Sequence, residues 1–254
     1  MNAEFTPYAQ PFRDDGFVVI PQFLRSDELR ELRDNVARYI RDVVPRLPQS
    51  KAFFHDYERP ETLKQLQYMS EYDPYFAEYQ KHSRWTAVAA TLLGEPVKPR
   101  GPEWFDKPPG VEHPTPPHQD NYYFCLRPPS VVTCWLALEA VDRDNSCLHY
   151  LPQSHLQAVR DHAATSVLGF SQGISDITAE ERARGVPVEL AAGDLAVHHG
   201  NTIHWADCNR SNRRRPAFAM VFQGESCQRD EEAYARYMAR LSQQHAEMGV
   251  GDAT

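Results

Sequence analysis

Hydrophobic side chains recur at helical spacing near the start of the chain. Leu29, Leu32 and Val36 lie three and four positions apart, which is the period of an amphipathic helix. Ser26 is the expected N-cap of this helix, because its hydroxyl can accept a hydrogen bond from an unpaired backbone amide. A short β-branched run at 16–20 predicts a strand just before it. Further helices are predicted over three stretches: 60–70, 75–93 and 229–246.

From about residue 96, the pattern changes to short apolar or alternating runs. Proline, glycine, aspartate and asparagine separate these runs, and such residues typically divide the strands of a β-sandwich or barrel. The runs are VKPRGPEWFDK, PHQDNYYF, SVVTCWLALEAV, VPVELAAGDLAVHH, IHWA and RPAFAMVFQG. Helices before and after a compact β unit predict an α+β fold with a mainly β core. We therefore predict one domain over 1–254, with its core at about 12–224 and a frayed tail at 247–254.

Composition narrows the function classes. The chain has 254 residues and a formal charge of −8, so it can bury a sizeable core but lacks the basic balance of a nucleic-acid-binding protein. No apolar run approaches the roughly 18 residues that span a bilayer. The five cysteines include no C-x-x-C pair, which favours reduced thiols and a cytoplasmic location. We expect a small-molecule substrate, no nucleic acid and no membrane, and the sequence predicts no oligomeric state.

One short motif places a histidine and a carboxylate two positions apart. It reads PPHQDNYYF, and it contains His118 and Asp120. Residues two apart on a strand point to the same face, so these two side chains could share one metal ion. An exposed polar pair is the alternative for the motif taken alone. A third ligand from a distant strand is needed to decide between the two.

A second histidine-containing region supplies a candidate for that ligand. Residues 193–218 read GDLAVHHGNTIHWADCNRSNRRRPAF, and His204 opens a short predicted strand. Two histidines and one carboxylate form the facial triad that holds non-haem Fe(II) with open coordination positions. His198 and His199 compete with His204, because one member of an adjacent pair on a strand points inward. The sequence therefore predicts an iron site, and His204 is preferred because an arginine follows it on the next strand.

That arginine has a chemical reason to be there. A 2-oxo acid can chelate the open positions of such an iron, and its far carboxylate then needs a cation. Arginine binds a carboxylate through two parallel hydrogen bonds, and Arg215 lies at the start of the strand after His204. Arg213 and Arg214 are competing candidates. Strand alternation puts Arg213 on the same face as Arg215, so periodicity does not decide between them.

Together these motifs resemble the phytanoyl-CoA dioxygenase (PhyH-type) family of Fe(II)/2-oxoglutarate-dependent oxygenases. The resemblance covers roughly 12–224 and rests on segments in the family's order: DDGFVVIPQFLRSDELRELR, FDKPPG, PPHQD, TCWLALEAVDRDNSCLHYLPQSH and IHWADCNRSNRRRPAF. It implies a double-stranded β-helix (jelly roll, cupin-like) with helices buttressing one sheet. The cofactors that it implies are Fe(II), 2-oxoglutarate as co-substrate and O2.

The resemblance also implies roles for individual residues. His118, Asp120 and His204 would hold the iron, and Arg215 would bind the far carboxylate of 2-oxoglutarate. Three further residues are expected around the co-substrate: Trp135, Thr133 and Lys107. Core packing is the alternative for the first two, and a solvated strand lysine is the alternative for the third.

The expected reaction follows from one ligand. Halogenases similar to this family carry a small residue where this chain has Asp120. The carboxylate therefore favours hydroxylation of a small organic molecule, with release of succinate and CO2. Desaturation, epimerisation or cyclisation by the same centre is one alternative. A non-catalytic jelly roll that binds a metal or ligand is an alternative of another class.

Aromatic residues are candidates for the walls of a substrate pocket. By strand alternation, Tyr122 and Phe124 point with Asp120 towards the site, and Tyr123 points away from it. Trp104 and Trp205 are further candidates. Ordinary core packing is the alternative for all of these aromatic side chains.

Overall fold

The computed structural model describes residues 2–110, 113–165 and 172–248. Its α-helices are α1 (Thr6–Asp15), α2 (Ser26–Asp42), α3 (Met69–Tyr72), α4 (Pro74–Tyr79), α5 (Ser83–Leu93), α6 (Asp120–Phe124), α7 (Ala179–Arg184) and α8 (Glu231–Met248). Its strands are β1 (Phe17–Ile20), β2 (Ala52–Phe54), β3 (Leu63–Leu66), β4 (Val97–Phe105), β5 (Thr115–His118), β6 (Leu126–Arg127), β7 (Val131–Ala137), β8 (Leu148–Tyr150), β9 (Ala163–Ala164), β10 (Gln172–Gly173), β11 (Val186–Val188), β12 (Leu195–His199), β13 (His204–Ala206), β14 (Ala217–Gly224) and β15 (Gln228–Arg229). None of the helices in the described ranges combines the length and the apolar composition that a bilayer crossing requires.

Two antiparallel sheets pack face to face. The larger has the strand order β1-β12-β7-β14-β4-β3-β2, and the smaller has the order β11-β8-β13-β5. Neighbouring strands are far apart along the chain, as where β12 lies between β1 and β7. This arrangement is the double-stranded β-helix that the sequence motifs implied.

The larger sheet has two different faces. On β7, Cys134 and Leu136 are fully buried in a core that they share with helix residues such as Leu32. The alternate residue Trp135 points to the other face, where it packs with Tyr150 of the smaller sheet. Small side chains line this inner face: Ala137, Ala196, Ala217 and Ala219. Because alanines fill little volume, space remains between the two sheets.

The helices follow the sequence prediction in part. The predicted helix at 75–93 divides into α4 and α5, and α5 ends at Gly94 with a left-handed φ of 75°. The predicted helix at 229–246 is α8, which begins at Glu231. The α1 helix was not predicted. Of the predicted tail at 247–254, residues 249–254 lie outside the described residues.

Two predictions about the helices are wrong. Residues 60–70 do not form one α-helix: a 3-10 turn at Pro60–Thr62 leads into β3, which pairs with β4 in the larger sheet, and α3 begins only at Met69. All four residues of β3 are buried, and burial in a sheet outweighs weak helical propensity. Ser26 is the first residue of α2 and not its cap. The capping position belongs to Arg25, whose backbone N–H donates to Glu28 Oε2 at 2.9 Å.

Candidate functional site

The three side chains predicted to hold a metal meet between the sheets. His118 ends β5, Asp120 begins α6, and His204 lies opposite His118 where β13 pairs with β5. The two imidazole centroids are 4.1 Å apart. Asp120 Oδ1 lies 3.5 Å from His118 Nε2 and 3.6 Å from His204 Nε2. One ligand atom from each residue lies within 4.8 Å of the others, so this group could hold a metal ion.

Backbone carbonyls orient both imidazole rings. His118 Nδ1 donates to the Pro116 carbonyl at 2.8 Å, and His204 Nδ1 donates to the Thr202 carbonyl at 3.0 Å. A proton held on Nδ1 leaves the lone pair on Nε2, which is the atom that faces Asp120 in each case. Such outer hydrogen bonds are the usual means by which proteins fix a metal-binding histidine.

The protonation states of the group also suit a metal. Burial, with the nearby imidazole of His118, lowers the pKa of His204 well below its usual range. Burial opposes ionisation of Asp120, but the facing histidines outweigh that effect and hold the pKa of the carboxyl well below its usual range. A neutral imidazole and an ionised carboxylate are the forms that coordinate a metal.

The second oxygen of Asp120 is held from the other side. Thr133 Oγ1 donates to Asp120 Oδ2 at 2.5 Å, and His198 Nε2 donates to the same oxygen at 3.0 Å. His198 Nδ1 in turn accepts from the Tyr150 hydroxyl at 3.0 Å. His198 therefore orients the carboxylate, and the Thr133 hydroxyl is committed to Asp120, where the sequence had predicted a contact with the co-substrate.

The other competing histidine lies away from the group. His199 Nδ1 accepts from the backbone N–H of Asn201 at 3.0 Å, and its ring packs near Phe12. Burial lowers the pKa of His199 to about 4. Strand alternation explains the contrast with His198, since adjacent residues of β12 point to opposite faces.

The three consecutive arginines have different partners. Arg213 forms an ion pair with Asp142, and Arg214 forms one with Asp106. Arg215 is only 3% exposed, and its Nε and Nη1 atoms have no hydrogen-bond partner among the described residues. Burial lowers the pKa of Arg215 to about 10, so the guanidinium remains charged at neutral pH. A buried cation with unused donors is a site for an anion.

Two of the predicted co-substrate residues adjoin Arg215. The Trp135 ring lies under the guanidinium, 5.1 Å from its central carbon. Lys107 is buried and donates through Nζ to the carbonyls of Ala206 and Asp207, at 3.2 and 2.6 Å. Burial, with the charge of Arg215, lowers the pKa of Lys107 well below its usual range. An anion bound beside Arg215 would favour the protonated form of Lys107, so the pair suits a ligand with more than one negative charge.

A cavity of about 860 Å³ connects these groups. The triad, Arg215, Lys107, Trp135 and Thr133 all line it. A wall that the sequence did not predict comes from α8, through Tyr234, Tyr237, Met238 and Leu241. A helix so distant along the chain from the metal motif gives no local signal of this role.

The aromatic residues after Asp120 are arranged differently from the prediction. They form α6 and not a strand, so a period of two does not apply to them. Tyr123 and Phe124 line the cavity, and the Tyr123 ring lies 6.0 Å from that of His118. Tyr122 is outside the cavity lining and stacks on His162 at 3.9 Å. Tyr123 and Phe124 lie three and four residues after Asp120 and therefore share its side of the helix, whereas Tyr122, two residues after Asp120, lies on the opposite side.

The two predicted tryptophans also lie outside the cavity lining. Trp104 is buried in the helix-facing core, because it alternates with Glu103 and Phe105, which face the cavity. Trp205 alternates with His204 in the same way and stacks on His149 at 5.5 Å. Both placements follow from strand alternation, a signal already present in the sequence.

Comparison with known families identifies the chain. A family model described as Phytanoyl-CoA dioxygenase (PhyH) matches residues 12–217. The chain belongs to this family. Membership in the PhyH family, together with the triad, supports an iron- and 2-oxoglutarate-dependent enzyme.

Relatives of this PhyH-family chain include a plant protein. The "Phytanoyl-CoA dioxygenase" of Arabidopsis thaliana is 27% identical over 256 residues, covering 85% of this chain and 88% of the relative. Among solved structures, the epimerase SnoN in complex with Fe3+, alpha ketoglutarate and nogalamycin RO has a TM-score of 0.70. It is 22% identical, with 89% of this chain and 85% of SnoN covered. The carbocyclase SnoK from nogalamycin biosynthesis has a TM-score of 0.69 at 20% identity, with 93% and 90% covered.

Proposed function

We propose that this PhyH-family protein hydroxylates a small organic molecule, using Fe(II), 2-oxoglutarate and O2 and releasing succinate and CO2. One observation carries the proposal. Buried Arg215, whose Nε and Nη1 have no hydrogen-bond partner in the described part of the chain, lines the same cavity as the His118–Asp120–His204 group. A protein that only bound a metal would have no use for this buried cation. A co-substrate that both chelates iron and ends in a carboxylate accounts for both features.

The donor set fits Fe(II). Two imidazoles and one carboxylate match the ligands of the non-haem iron facial triad, and His118, Asp120 and His204 would supply them. Their ligand atoms all lie within 4.8 Å of one another, and a set of three leaves a metal with positions for other ligands. When bound, the iron supplies the oxidising chemistry that removes a hydrogen atom from the substrate.

The remaining residues bind and orient. Arg215 would take the far carboxylate of 2-oxoglutarate in a two-point contact, and Trp135 under its guanidinium would keep that fork in place. Thr133 and His198 would hold Asp120 Oδ2, so that Oδ1 stays directed at the metal position. Lys107 would add positive charge near the diacid. Substrate would occupy the remaining cavity, bounded by Tyr123, Phe124 and α8.

Turnover of 2-oxoglutarate tests the proposal. Purified protein reconstituted with Fe(II) should form succinate in air, and a His118→Ala variant should not exceed the background rate. In parallel, anaerobic calorimetry should detect 2-oxoglutarate binding to the iron-loaded protein. If wild-type protein neither binds 2-oxoglutarate nor forms succinate above the variant, the chain is a metal-binding module and the proposal fails.

Product analysis separates hydroxylation from related reactions. Hydroxylation adds 16 mass units, about the mass of one oxygen atom, and label from 18O2 should appear in the product. An unchanged substrate mass with inverted stereochemistry would indicate epimerisation, and a loss of two hydrogens would indicate desaturation or ring closure. Either result would keep the enzyme class and replace hydroxylation as the reaction.

A further inference from the structure

One carboxylate in the cavity has no part in the proposed metal or co-substrate sites. Glu103 lies on β4 opposite Ala219, and Ala219 lies opposite Trp135 on β7. Residues opposite each other in antiparallel pairs share a face of the sheet. Glu103 therefore projects into the space between the sheets, and it lines the same cavity as the triad.

The neighbours of Glu103 leave hydrogen-bond acceptors unused. The side chain of Gln65 is the hydrogen-bonding neighbour of the carboxyl group. Only the amide nitrogen of Gln65 can donate to a carboxylate. Its oxygen, Oε1, is buried and has no hydrogen-bond partner among the described residues. A carboxylate and an unpaired amide oxygen thus lie together on one cavity wall, and buried acceptors without donors are unfavourable.

Among the residues that the structure describes, Arg100 is the cation near enough to attract the Glu103 carboxylate, and no ion pair joins the two side chains. Arg100 is engaged elsewhere: its Nη1 donates to Gln223 Oε1 at 2.6 Å, and its guanidinium lies over the Phe124 ring. Burial, with the negative charge of Asp120, raises the pKa of Glu103 to about 7. A bound ligand that donates hydrogen bonds would stabilise the Glu103 carboxylate.

We propose that Glu103 and Gln65 form the substrate-recognition site, which accepts hydrogen bonds from a hydroxyl or amine group of the substrate. The inference rests on the proposed function and narrows its substrate class. A hydroxylated or aminated molecule provides the donors that this wall lacks. A bare alkyl chain would offer no donor to the Glu103 carboxylate or to Gln65 Oε1, so a fatty acyl chain is a poor fit to this wall.

Matched small probes test the recognition site without requiring turnover. Cyclohexylamine and 1,2-cyclohexanediol carry donors, whereas 1,2-dimethoxycyclohexane keeps the oxygens of the diol but has none. Ligand-observed NMR would measure their binding to iron- and 2-oxoglutarate-loaded protein under argon. We expect at least one donor probe to bind on the order of tenfold more tightly than 1,2-dimethoxycyclohexane. The amine and the diol arms distinguish the two sources of the donor.

Variants then assign the preference to the two residues. Glu103→Gln keeps the shape of the side chain and should weaken the preferred donor probe about tenfold, and Gln65→Leu should weaken it by a smaller factor. Glu225→Gln, which removes the same charge from an exposed position, should leave probe binding unchanged. Binding of 2-oxoglutarate should stay within about twofold of wild type in all three variants, since Arg215 remains.

Either of two results would overturn the inference. One is equal affinity for the donor probes and for 1,2-dimethoxycyclohexane. The other is a preference for donor probes that is unchanged in the Glu103→Gln variant. Succinate formation without added substrate gives an independent reading of the proposed function. If succinate forms normally while the donor preference is absent, the substrate-recognition site is wrong and the oxygenase assignment stands. If 2-oxoglutarate neither binds nor is consumed, the proposed function itself fails.

Discussion

Three consecutive arginines, Arg213, Arg214 and Arg215, differ in what their side chains meet. The first two pair with aspartates, and the third is buried with two donor atoms, Nε and Nη1, that no described residue pairs. Replacing Arg215 by Met should therefore raise the dissociation constant for 2-oxoglutarate by about 100-fold, because a charge-assisted two-point contact is lost. Anaerobic calorimetry on the iron-loaded protein measures this. Arg213→Met removes the same charge and is the matched control; a similar loss in that variant would contradict the assignment to Arg215.

At the same scale, Thr133 has a defined partner. Its hydroxyl donates to Asp120 Oδ2, so Thr133→Val keeps the side-chain shape but removes one of two donors that orient the carboxylate. We expect iron affinity to fall roughly 10- to 100-fold, the usual effect of losing an outer hydrogen bond to a metal ligand. Competition with a chromophoric chelator measures the affinity. Thr86→Val, on α5 outside the cavity lining, should bind iron as wild type does, and equal affinity in both variants would remove Thr133 from the site.

At the scale of elements, the turn from α1 into β1 depends on a glycine. Gly16 has a left-handed φ of 83°, and an added Cβ would lie 2.4 Å from His155 Nδ1 and 2.6 Å from Thr202 Oγ1. Gly94 at the end of α5 has a similar φ of 75° but nothing within 4 Å of an added Cβ. Gly94→Ala should lower the free energy of unfolding by about 1 kcal/mol through backbone strain alone.

Gly16→Ala should lower the free energy of unfolding further, on the order of 3 kcal/mol, because steric overlap adds to the same backbone strain. Thermal or urea unfolding of the two variants measures the difference. Equal destabilisation of the two variants would mean that His155 and Thr202 can move away from the added methyl group at no measurable cost in stability. The steric part of the prediction would then be wrong.

At the scale of the whole molecule, buried histidines should make the protein less stable at acidic pH. Burial lowers the pKa values of His55, His162 and His199 to about 3, 4 and 4, whereas an unfolded histidine titrates near 6.5. Between these values the unfolded chain binds protons that the native protein does not. The free energy of unfolding should therefore fall as pH decreases from about 6.5 towards 4.

Melting temperatures of metal-free protein from pH 7.5 to 4.5 measure this dependence. His199→Gln should flatten the decline, because it removes one group whose pKa differs between the two states. His82→Gln, which replaces an exposed histidine, is the matched control for the loss of an imidazole. A melting temperature that stays constant between pH 7 and pH 5 would contradict the predicted loss of stability at acidic pH.

Strand and helix periods determined much of this protein from sequence alone. They predicted α2, α8 and the strands β4, β7, β11, β12, β13 and β14, because a buried face repeats at a fixed interval along each element. The motif order around His118, Asp120, His204 and Arg215 was enough to recognise the PhyH family. Where periodicity was wrong, as at β3 and α6, the deciding contacts came from strands and helices far along the chain.

Periodicity alone does not distinguish residues that look equivalent in sequence, and the tertiary structure shows what each of them contacts. His198 and His199, or Arg213, Arg214 and Arg215, have the same local pattern, and their partners lie on other elements. Asp142 and Asp106 occupy two arginines and leave the third for a ligand. Likewise, Tyr123, Glu103 and Gln65 became cavity residues because β3, β4 and α6 meet there. Local sequence determines which way a side chain turns within its element, but long-range packing decides what that side chain meets.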